Sequence, residues 1–274
     1  MSIDLTAYAD PNYFKVSLQA PMLVGVAGGP DAGKRDVCEL LMNRLSDTYA
    51  AKVAIVSLTD FYRELTHEER VLYEQGKLNL DHPNVYDFAL LEEVLKSLLS
   101  GKSTSIPVWD SARHTREDMQ TIDPVDVIIL EGTLVLYPKS LRELMFMKVF
   151  VDIDSDQRLA RRVRKAKSRN GKTMSIKELL TEYVEFVKPT FDDFIMPTKK
   201  FADIIVPRGV ENTAALSVMA NHLEDHLRTR SNAATRMGDD DDTDSVASGV
   251  SRKAFRSADL LATKAASSYK EIPE

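Results

Sequence analysis

The residue types that could do chemistry are densest between Gly28 and Lys34, where two glycines enclose four residues and the second is followed by lysine. An apolar run, residues 22–27, precedes this segment and a helical pattern follows it, which is the context of a phosphate-binding Walker A loop. Glycines let backbone N–H groups turn toward phosphate oxygens, and the helix N-terminus adds its positive dipole. A chance glycine-rich turn is the alternative. The nucleotide-binding residues predicted here are Gly28, Gly29, Ala32, Gly33, Lys34, Arg35 and Asp36.

The residue after the lysine departs from the loop pattern. Serine or threonine belongs there to give its hydroxyl to Mg²⁺, whereas this sequence has Arg35, which offers no acceptor atom and keeps its charge. Asp36 lies about 100° further around a helix and is a poor substitute. Asp31 places a carboxylate inside the loop, where it disfavours anions unless it points to solvent and pairs with Arg35. We therefore expect an incomplete Mg²⁺ site.

The hydrophobic pattern shows which elements must position this loop. Apolar runs typical of strands buried on both faces alternate with helical patterns, which indicates an α/β fold with a parallel sheet. Residues 103–116, around Trp109, are predicted to form an extended or hairpin segment, and Asp154 to Asp156 offer an N-cap for a basic helix over residues 158–167. The predicted strands cover residues 22–27, 53–57, 125–130, 149–152 and 204–206, and the clearest amphipathic helix covers residues 90–99.

Length and composition limit the class of protein. The chain has 274 residues, 43% of them hydrophobic, and a formal net charge of −6, which suits a globular domain and argues against a nucleic-acid binder. A single cysteine, Cys38, excludes an internal disulfide framework and a cysteine-based zinc site. The sequence contains neither an apolar run of about 18 residues for a membrane nor a signal-peptide core, so a cytoplasmic protein is expected.

Composition also predicts the domain boundaries. Residues 1–20 are expected to be an N-terminal extension, residues 21–228 the folded domain, and residues 229–274 a Ser- and Ala-rich tail that is mobile in isolation. The tail contains an acidic run at residues 239–242, and residues 257–269 could form a short helix on a protein partner.

Several short motifs follow one another along residues 22–227. They are Val26-Ala-Gly-Gly29 with Gly33-Lys34, Phe61-Tyr62, Asp81-His-Pro83, His114-x-Arg116, Leu130-Glu-Gly132, Asp154-Ser-Asp156 with Arg158 and Arg161-Arg162, Phe186-Val-Lys-Pro189, Pro197-Thr-Lys-Lys200 and Val206-Pro-Arg-Gly209. In this order and spacing the sequence resembles the uridine–cytidine kinase family. The resemblance implies a P-loop kinase fold, in which helices flank a parallel β-sheet, with a β-hairpin insertion for the nucleoside and a helical lid. It also implies transfer of the γ-phosphoryl group of ATP, with Mg²⁺, to the 5′-hydroxyl of uridine or cytidine in pyrimidine salvage.

The resemblance assigns the catalytic groups with one departure. In family members an aspartate two residues before the Phe-Tyr pair is the general base and approaches Mg²⁺, but here Thr59 has that position and Asp60 follows it. Threonine cannot act as the base, and Asp60 serves only if the strand end reorients, since side chains alternate along a strand. Glu131 matches the family's third acidic group and is the predicted metal contact, with a salt bridge to Lys34 as the alternative.

The other implied residues bind the nucleoside and the phosphates. Asp81 matches the residue that binds the ribose hydroxyls, His114 the residue that reads the pyrimidine edge, and Trp109 an aromatic that stacks on the base. A turn residue, a loop histidine and a core aromatic are the respective alternatives. Ser111 replaces a second aromatic of that pocket, and Glu182 a glutamine expected near the base. The resemblance also assigns substrate contacts to Arg116 and Lys172, a nucleotide contact to Arg208, and catalytic phosphate contacts to Lys34 and Arg162.

Two functions remain open at the level of sequence. The chain is either a working nucleoside kinase of weak activity or a degenerate kinase that binds nucleotide or nucleoside and acts as a scaffold or regulator. Loss of a general base alone costs about 10²–10⁴-fold in rate. A kinase assay with uridine, cytidine, ATP and Mg²⁺, run beside ATP-binding calorimetry, separates the two. A homo-oligomer and a protein partner for the tail also remain open.

Overall fold

The computed structural model describes residues 20–110, 113–165, 168–169 and 172–238, and for residues 117, 168–169, 172–173 and 233–238 it describes the backbone alone. Residues 1–19 of the predicted N-terminal extension, Ser111 and the acidic run of the tail lie outside the described residues. The segment at residues 257–269, which was expected to bind a partner, also lies outside them. The compact unit that carries the sheet ends at Ala234.

A five-stranded parallel sheet forms the centre of this unit. The strands of the protein are β1 (Met22–Gly28), β2 (Val53–Ser57), β3 (Thr104–Asp110), β4 (Thr115–Ile122), β5 (Val127–Glu131), β6 (Met147–Asp152), β7 (Ser168–Arg169), β8 (Lys172–Thr173) and β9 (Ile204–Pro207). The central sheet has the order β2-β5-β1-β6-β9, and all of its strand pairs are parallel. The predicted α/β fold with a parallel sheet is therefore confirmed, and all five predicted strands are present. β1, β5 and β6 are largely buried as expected, whereas the expected burial of β2 and β9 is wrong, because these two strands form the edges of the sheet and are mostly half-buried or exposed.

The helices cover both faces of the sheet. They are α1 (Lys34–Tyr49), α2 (His67–Glu74), α3 (Phe88–Leu99), α4 (Lys139–Leu144), α5 (Ser155–Arg164), α6 (Ile176–Glu182) and α7 (Thr213–Gly238). After α6 the chain stays helical through Tyr183–Val187, Lys188–Thr190, Phe191–Ile195 and Met196–Phe201. No helix in the described part of the chain is long and apolar enough to cross a membrane.

Successive residues of β1 belong to different cores, because side chains along a strand point to opposite faces. Leu23 and Ala27 pack in one core with residues of α3, whereas Val24 and Val26 pack in the other with residues of α1 and α7. All four side chains are almost fully buried. A strand buried on both faces reads as a continuous apolar run, which is why the sequence pattern located it.

Two antiparallel hairpins extend from this sheet. Strands β3 and β4 form the longer hairpin, with Asp110 opposite Thr115 near its turn, and β7 and β8 form a two-residue pair after α5. The first corresponds to the predicted nucleoside-binding insertion. The second, with α5 and α6, corresponds to the predicted lid.

Candidate phosphate and nucleoside site

The phosphate loop joins β1 to α1. Gly33 adopts φ 81°, a left-handed conformation that glycine favours, and α1 begins at the next residue. The Lys34 amine donates to the Gly29 carbonyl oxygen at 3.0 Å, so the side chain folds over the loop. Burial lowers the pKa of Lys34, and the charge of Glu131 opposes that shift most strongly. An amine desolvated in this way is poised for an anion.

Gly29 is needed for close approach of an arginine. A Cβ atom at this position would lie 2.6 Å from Nη1 of Arg158, too close for any real contact. Arg158 is fixed from two other sides: its Nε donates to the Ile153 carbonyl oxygen at 3.1 Å, and its guanidinium lies 3.8 Å from the centroid of the Phe191 ring. The positively charged guanidinium of Arg158 is therefore held in contact with Gly29 of the phosphate loop. Sequence reasoning included Arg158 in a motif but gave it no role.

Arg35 and Asp36, the residues after the lysine, are exposed on the first turn of α1. Arg35 Nε donates to Glu39 Oε1 at 2.8 Å, an (i, i+4) pair on the surface of one helix. The suggested pairing of Arg35 with Asp31 is therefore wrong. Asp31 has φ 60°, and its carboxylate is 10% exposed and faces the lid instead of solvent.

The lid helix α5 closes over the loop through three cations. Arg162 is almost fully buried, and its Nη1 lies 3.4 Å from Asp31 Oδ2, while its Nη2 donates to Glu182. Lys165 Nζ lies 3.6 Å from Asp31 Oδ1, and Arg161 Nη1 donates to the Ala32 carbonyl oxygen at 3.1 Å. The structure thus brings Arg162 to the loop and places Glu182 beside Arg162. The side chain of Lys172 lies outside the described part of the structure.

Glu131 stands at the end of β5, next to the end of β2. Ser57 Oγ donates to Glu131 Oε1 at 2.8 Å and lies 2.9 Å from Thr59 Oγ1. Because a serine hydroxyl has one proton, Thr59 is the donor in the second bond. No ion pair within 4.0 Å joins Glu131 to Lys34 among the described residues, so the alternative salt bridge is not formed. Sequence reasoning missed Ser57, although it is the last residue of a predicted strand.

These oxygens are a modest fit to Mg²⁺. The described part of the chain contains no group of three or more His, Cys, Asp or Glu side chains that could hold a metal. Mg²⁺ sites in phosphate-transferring proteins often use one or two carboxylates together with the phosphates of the substrate. The Glu131 carboxylate, with the Ser57 hydroxyl against it, meets that lower requirement.

Asp60 contacts the long hairpin. Strand β2 ends at Ser57 and a 3₁₀-helix covers Leu58–Phe61, so the alternation of strand side chains does not govern this position. Asp60 Oδ1 accepts a hydrogen bond from the Trp109 backbone N–H at 3.3 Å. Burial raises the pKa of Asp60, the charge of Glu131 raises it further, and the charge of Arg35 lowers it. The carboxylate is therefore bonded to the hairpin and interacts electrostatically with charged groups at the end of β5 and at the start of α1.

Aromatic rings line the hairpin side. Trp109 lies 5.2 Å from Tyr62 and 5.9 Å from His114, measured between ring centroids, and Tyr62 stacks on Tyr86 at 4.5 Å. His114 Nδ1 is buried and has no hydrogen-bond partner among the residues that the structure describes. Burial lowers the pKa of His114, which favours the neutral ring. A planar ligand with a polar edge suits this arrangement. Sequence reasoning gave Tyr86 no role, because nothing near it in sequence marks it.

Asp81 interacts electrostatically with the same region. Its backbone N–H donates to Asn79 Oδ1 at 2.9 Å. Burial raises the pKa of Tyr62 and of Tyr86 and the charge of Asp81 adds to that shift, whereas burial lowers the pKa of Lys34 and the charge of Asp81 opposes it. The carboxylate therefore interacts with both the ring cluster and the loop lysine. Asp81 thus lies where a ligand would span the two.

Two other predicted contacts lie further out. Arg116 forms an ion pair with Asp87, the N-cap of α3, at 3.4 Å. The Arg208 side chain is exposed, and its backbone N–H donates to the Asp152 carbonyl oxygen at 3.1 Å. Gly209, the next residue, lies against Ala32 of the phosphate loop, since a Cβ there would be 3.6 Å from the Ala32 carbonyl oxygen. Arg208 is therefore adjacent to the loop but its side chain is not packed on it.

Comparison with known proteins identifies the family of the chain. The model of the phosphoribulokinase / uridine kinase family matches residues 23–215. The chain is 41% identical to uridine-cytidine kinase 2-B of Danio rerio, covering 77% of this chain and 82% of that protein. It is 42% identical to uridine-cytidine kinase B of Dictyostelium discoideum, covering 76% and 83% respectively. The solved phosphoribulokinase of Rhodobacter spheroides has the same fold, with a TM-score of 0.51 at 12% identity over 69% of this chain and 70% of its own. The chain belongs to the phosphoribulokinase / uridine kinase family, and within it to the uridine–cytidine kinase-like proteins.

Proposed function

We propose that the protein is an ATP-dependent kinase that phosphorylates the 5′-hydroxyl of uridine or cytidine. The observation that carries this proposal is the position of Asp60, whose carboxylate accepts a hydrogen bond from the Trp109 backbone N–H and whose pKa is influenced by the charges of Glu131 and Arg35. A single carboxylate thus contacts the hairpin that carries Trp109 and interacts electrostatically with Arg35, which follows the phosphate loop. The relatives named uridine-cytidine kinases support the same substrate class.

ATP would bind with its phosphates on the loop that Gly29 and Gly33 open and Lys34 covers. The buried amine of Lys34 would exchange the Gly29 carbonyl for phosphate oxygens, and Arg158 and Arg162 would add positive charge from the lid. Phosphoryl transfer relies chiefly on such positioning and charge stabilisation. Glu131 and Ser57 are the residues that would hold Mg²⁺, which, when bound, neutralises charge on the phosphates.

The nucleoside would lie with its base against Trp109 and Tyr62. His114 Nδ1 would accept or donate a hydrogen bond at the pyrimidine edge, and Asp81 would accept from the ribose hydroxyls. Asp60 would then take the proton of the 5′-hydroxyl. A raised carboxyl pKa improves its proton affinity, provided that the pH keeps it ionised.

The turnover of this kinase is proposed to be slow. Thr59 provides a hydroxyl where the family carries its base, and Arg35 is engaged with Glu39 on the surface of α1. The same observations favour a second candidate, a degenerate kinase that binds nucleotide and nucleoside as a regulator. Both candidates predict binding of nucleotide and nucleoside, but only the active kinase predicts formation of a nucleoside monophosphate.

A coupled assay of ADP formation tests the proposal. Wild-type protein is given ATP, Mg²⁺ and uridine, cytidine or guanosine, and Asp60→Asn and Asp47→Asn are measured beside it. Asp47 is an exposed residue at the far end of α1, so the second variant controls for loss of one charge. We expect pyrimidine-dependent turnover that Asp60→Asn lowers about 10²–10⁴-fold. Equal turnover of Asp60→Asn and wild type would refute the role of Asp60, and nucleoside binding without turnover would establish the second candidate.

A further inference from the structure

The phosphate loop contains its own anion. Asp31 lies between Gly29 and Gly33, and its carboxylate is 10% exposed. Oδ2 is 3.4 Å from Arg162 Nη1 and Oδ1 is 3.6 Å from Lys165 Nζ, so each oxygen faces a different cation of the lid. Burial lowers the pKa of Lys34 and of Arg158, and the charge of Asp31 opposes that shift in both. Two lid cations thus contact one carboxylate, as they would contact a phosphate, and two further cations interact with its charge.

Arg162 is the cation most committed to this arrangement. Its side chain is 3% exposed and divides its donors between Asp31 and Glu182, while its Nε is buried without a hydrogen-bond partner in the described residues. A buried guanidinium must be paired, because an isolated buried charge is costly. Asp31 is therefore part of what holds α5 on the loop in the absence of nucleotide.

We propose that Asp31 sets the nucleotide affinity of this site, because its carboxylate holds Arg162 and Lys165 where a phosphate would, and a nucleotide binds by displacing it. The proposal rests on the proposed function in that it takes this loop to be the nucleotide site. Displacement exchanges one charge-assisted pair for another, so the net gain on binding is smaller than with a neutral residue at this position. Asp31 is thus an affinity-determining residue that also couples the lid to the loop.

Calorimetry with metal-free ATP tests the exchange. Asp31→Asn removes the charge, keeps the size, and suits a backbone with φ 60°, which asparagine tolerates. We expect it to bind ATP about ten-fold more tightly than wild type, as loss of a competing charge-assisted pair predicts. Asp47→Asn should bind like wild type. Equal affinity of Asp31→Asn and wild type would overturn the proposal.

Measuring the effect of Asp31→Asn in the Arg162→Met protein distinguishes two explanations, displacement of the Asp31–Arg162 pair by ATP and simple repulsion between Asp31 and the phosphates. In the Arg162→Met protein there is no Arg162 pair to displace, so Asp31→Asn should improve ATP binding by a smaller factor than it does in the wild-type background. An equal factor in both backgrounds would mean that Asp31 only repels the phosphates, and displacement would be refuted. Thermal unfolding of each variant establishes that it is folded before it is compared.

Amide hydrogen exchange measured without nucleotide independently tests whether Asp31 holds α5 on the phosphate loop. Asp31→Asn should speed amide exchange in the last turn of α5, because the pair that fastens this helix to the loop is weakened. Unchanged exchange would overturn the link between Asp31 and the lid. If neither wild type nor Asp31→Asn binds ATP at millimolar concentration, the proposed function fails, and exchange still decides whether Asp31 fastens α5.

Discussion

The pair of substitutions Arg35→Ser and Thr59→Asp should turn a slow kinase into a fast one. Serine at position 35 returns the hydroxyl that normally binds Mg²⁺ after the loop lysine. Aspartate at position 59 returns both a carboxylate beside Glu131 and a candidate base. Neither change should harm the fold, because Arg35 is about half exposed in a surface pair and Thr59 is exposed.

The local geometry sets the expected magnitude. Thr59 Oγ1 and Glu131 Oε1 both contact the Ser57 hydroxyl, at 2.9 Å and 2.8 Å. The two atoms are therefore at most about 6 Å apart, a range in which like charges interact strongly and a shared cation is favoured. A well-placed general base is worth about 10²–10⁴-fold, and Asp60 lies one residue away from the family's base position. A carboxylate at position 59, together with a hydroxyl at position 35 for Mg²⁺, should therefore raise kcat by about two orders of magnitude over what Asp60 achieves alone. Each single change should do little, because both groups act on one ion and one transferring phosphate.

The assay follows ADP formation at saturating ATP, Mg²⁺ and uridine for wild type, both single variants and the double variant. Calorimetry with ATP and with uridine shows that each variant still binds its ligands. A folded double variant that binds both ligands and turns over like wild type would refute the reasoning. So would a wild-type turnover already within the ordinary range for kinases, about 1–100 s⁻¹.

Three further predictions address single residues. Lys34→Ala should weaken ATP binding by one to two orders of magnitude in calorimetry, since a charge-assisted hydrogen bond is worth about 1.5–3 kcal/mol; an unchanged affinity would remove the loop as the nucleotide site. Uridine should raise the melting temperature of wild type but not of Asp81→Ala, because a ligand stabilises only the state that binds it; equal protection by guanosine would contradict the pyrimidine pocket. Arg63 lowers the pKa of Glu69 from its ordinary value of 4.5 to about 2, so the stability that this carboxylate contributes is present above pH 4.5 and lost as the pH falls through about 2. The difference in unfolding free energy between wild type and Glu69→Gln should shrink over that window, and a constant difference would refute the pairing.

The sequence predicted the elements whose formation depends mainly on residues within the element itself. The apolar runs of β1 and β5 are buried on both faces, so their pattern marked them, and the glycine spacing before Lys34 marked the turn into α1. The predicted extended or hairpin segment around Trp109 corresponds to the β3–β4 hairpin of the structure. In each case the residues that signal the element are the residues that build it.

The errors and omissions have two causes, which are contacts between residues far apart in sequence and local structure that the pattern did not reveal. The pairing of Arg35 with Asp31 was suggested by their proximity along the chain. In the structure Arg35 pairs with Glu39 on its own helix, and Asp31 pairs with Arg162 of the lid. Tyr86 joins the ring cluster only because an isolated bridge brings it beside Tyr62. The alternation of strand side chains does not apply to Asp60, because β2 ends at Ser57 and Asp60 lies in the 3₁₀-helix that follows. The sequence pattern did not predict that helix.

The most direct test of the central claim is phosphorus NMR of the wild-type protein with ATP, Mg²⁺ and uridine. The spectrum identifies where the γ-phosphoryl group goes, so it distinguishes transfer to the nucleoside from hydrolysis. We predict a growing signal of uridine 5′-monophosphate matched by ADP, and no nucleoside monophosphate signal when guanosine replaces uridine. Release of inorganic phosphate alone, or an ATP signal that stays unchanged while uridine is shown to bind, would contradict the assignment of a nucleoside kinase.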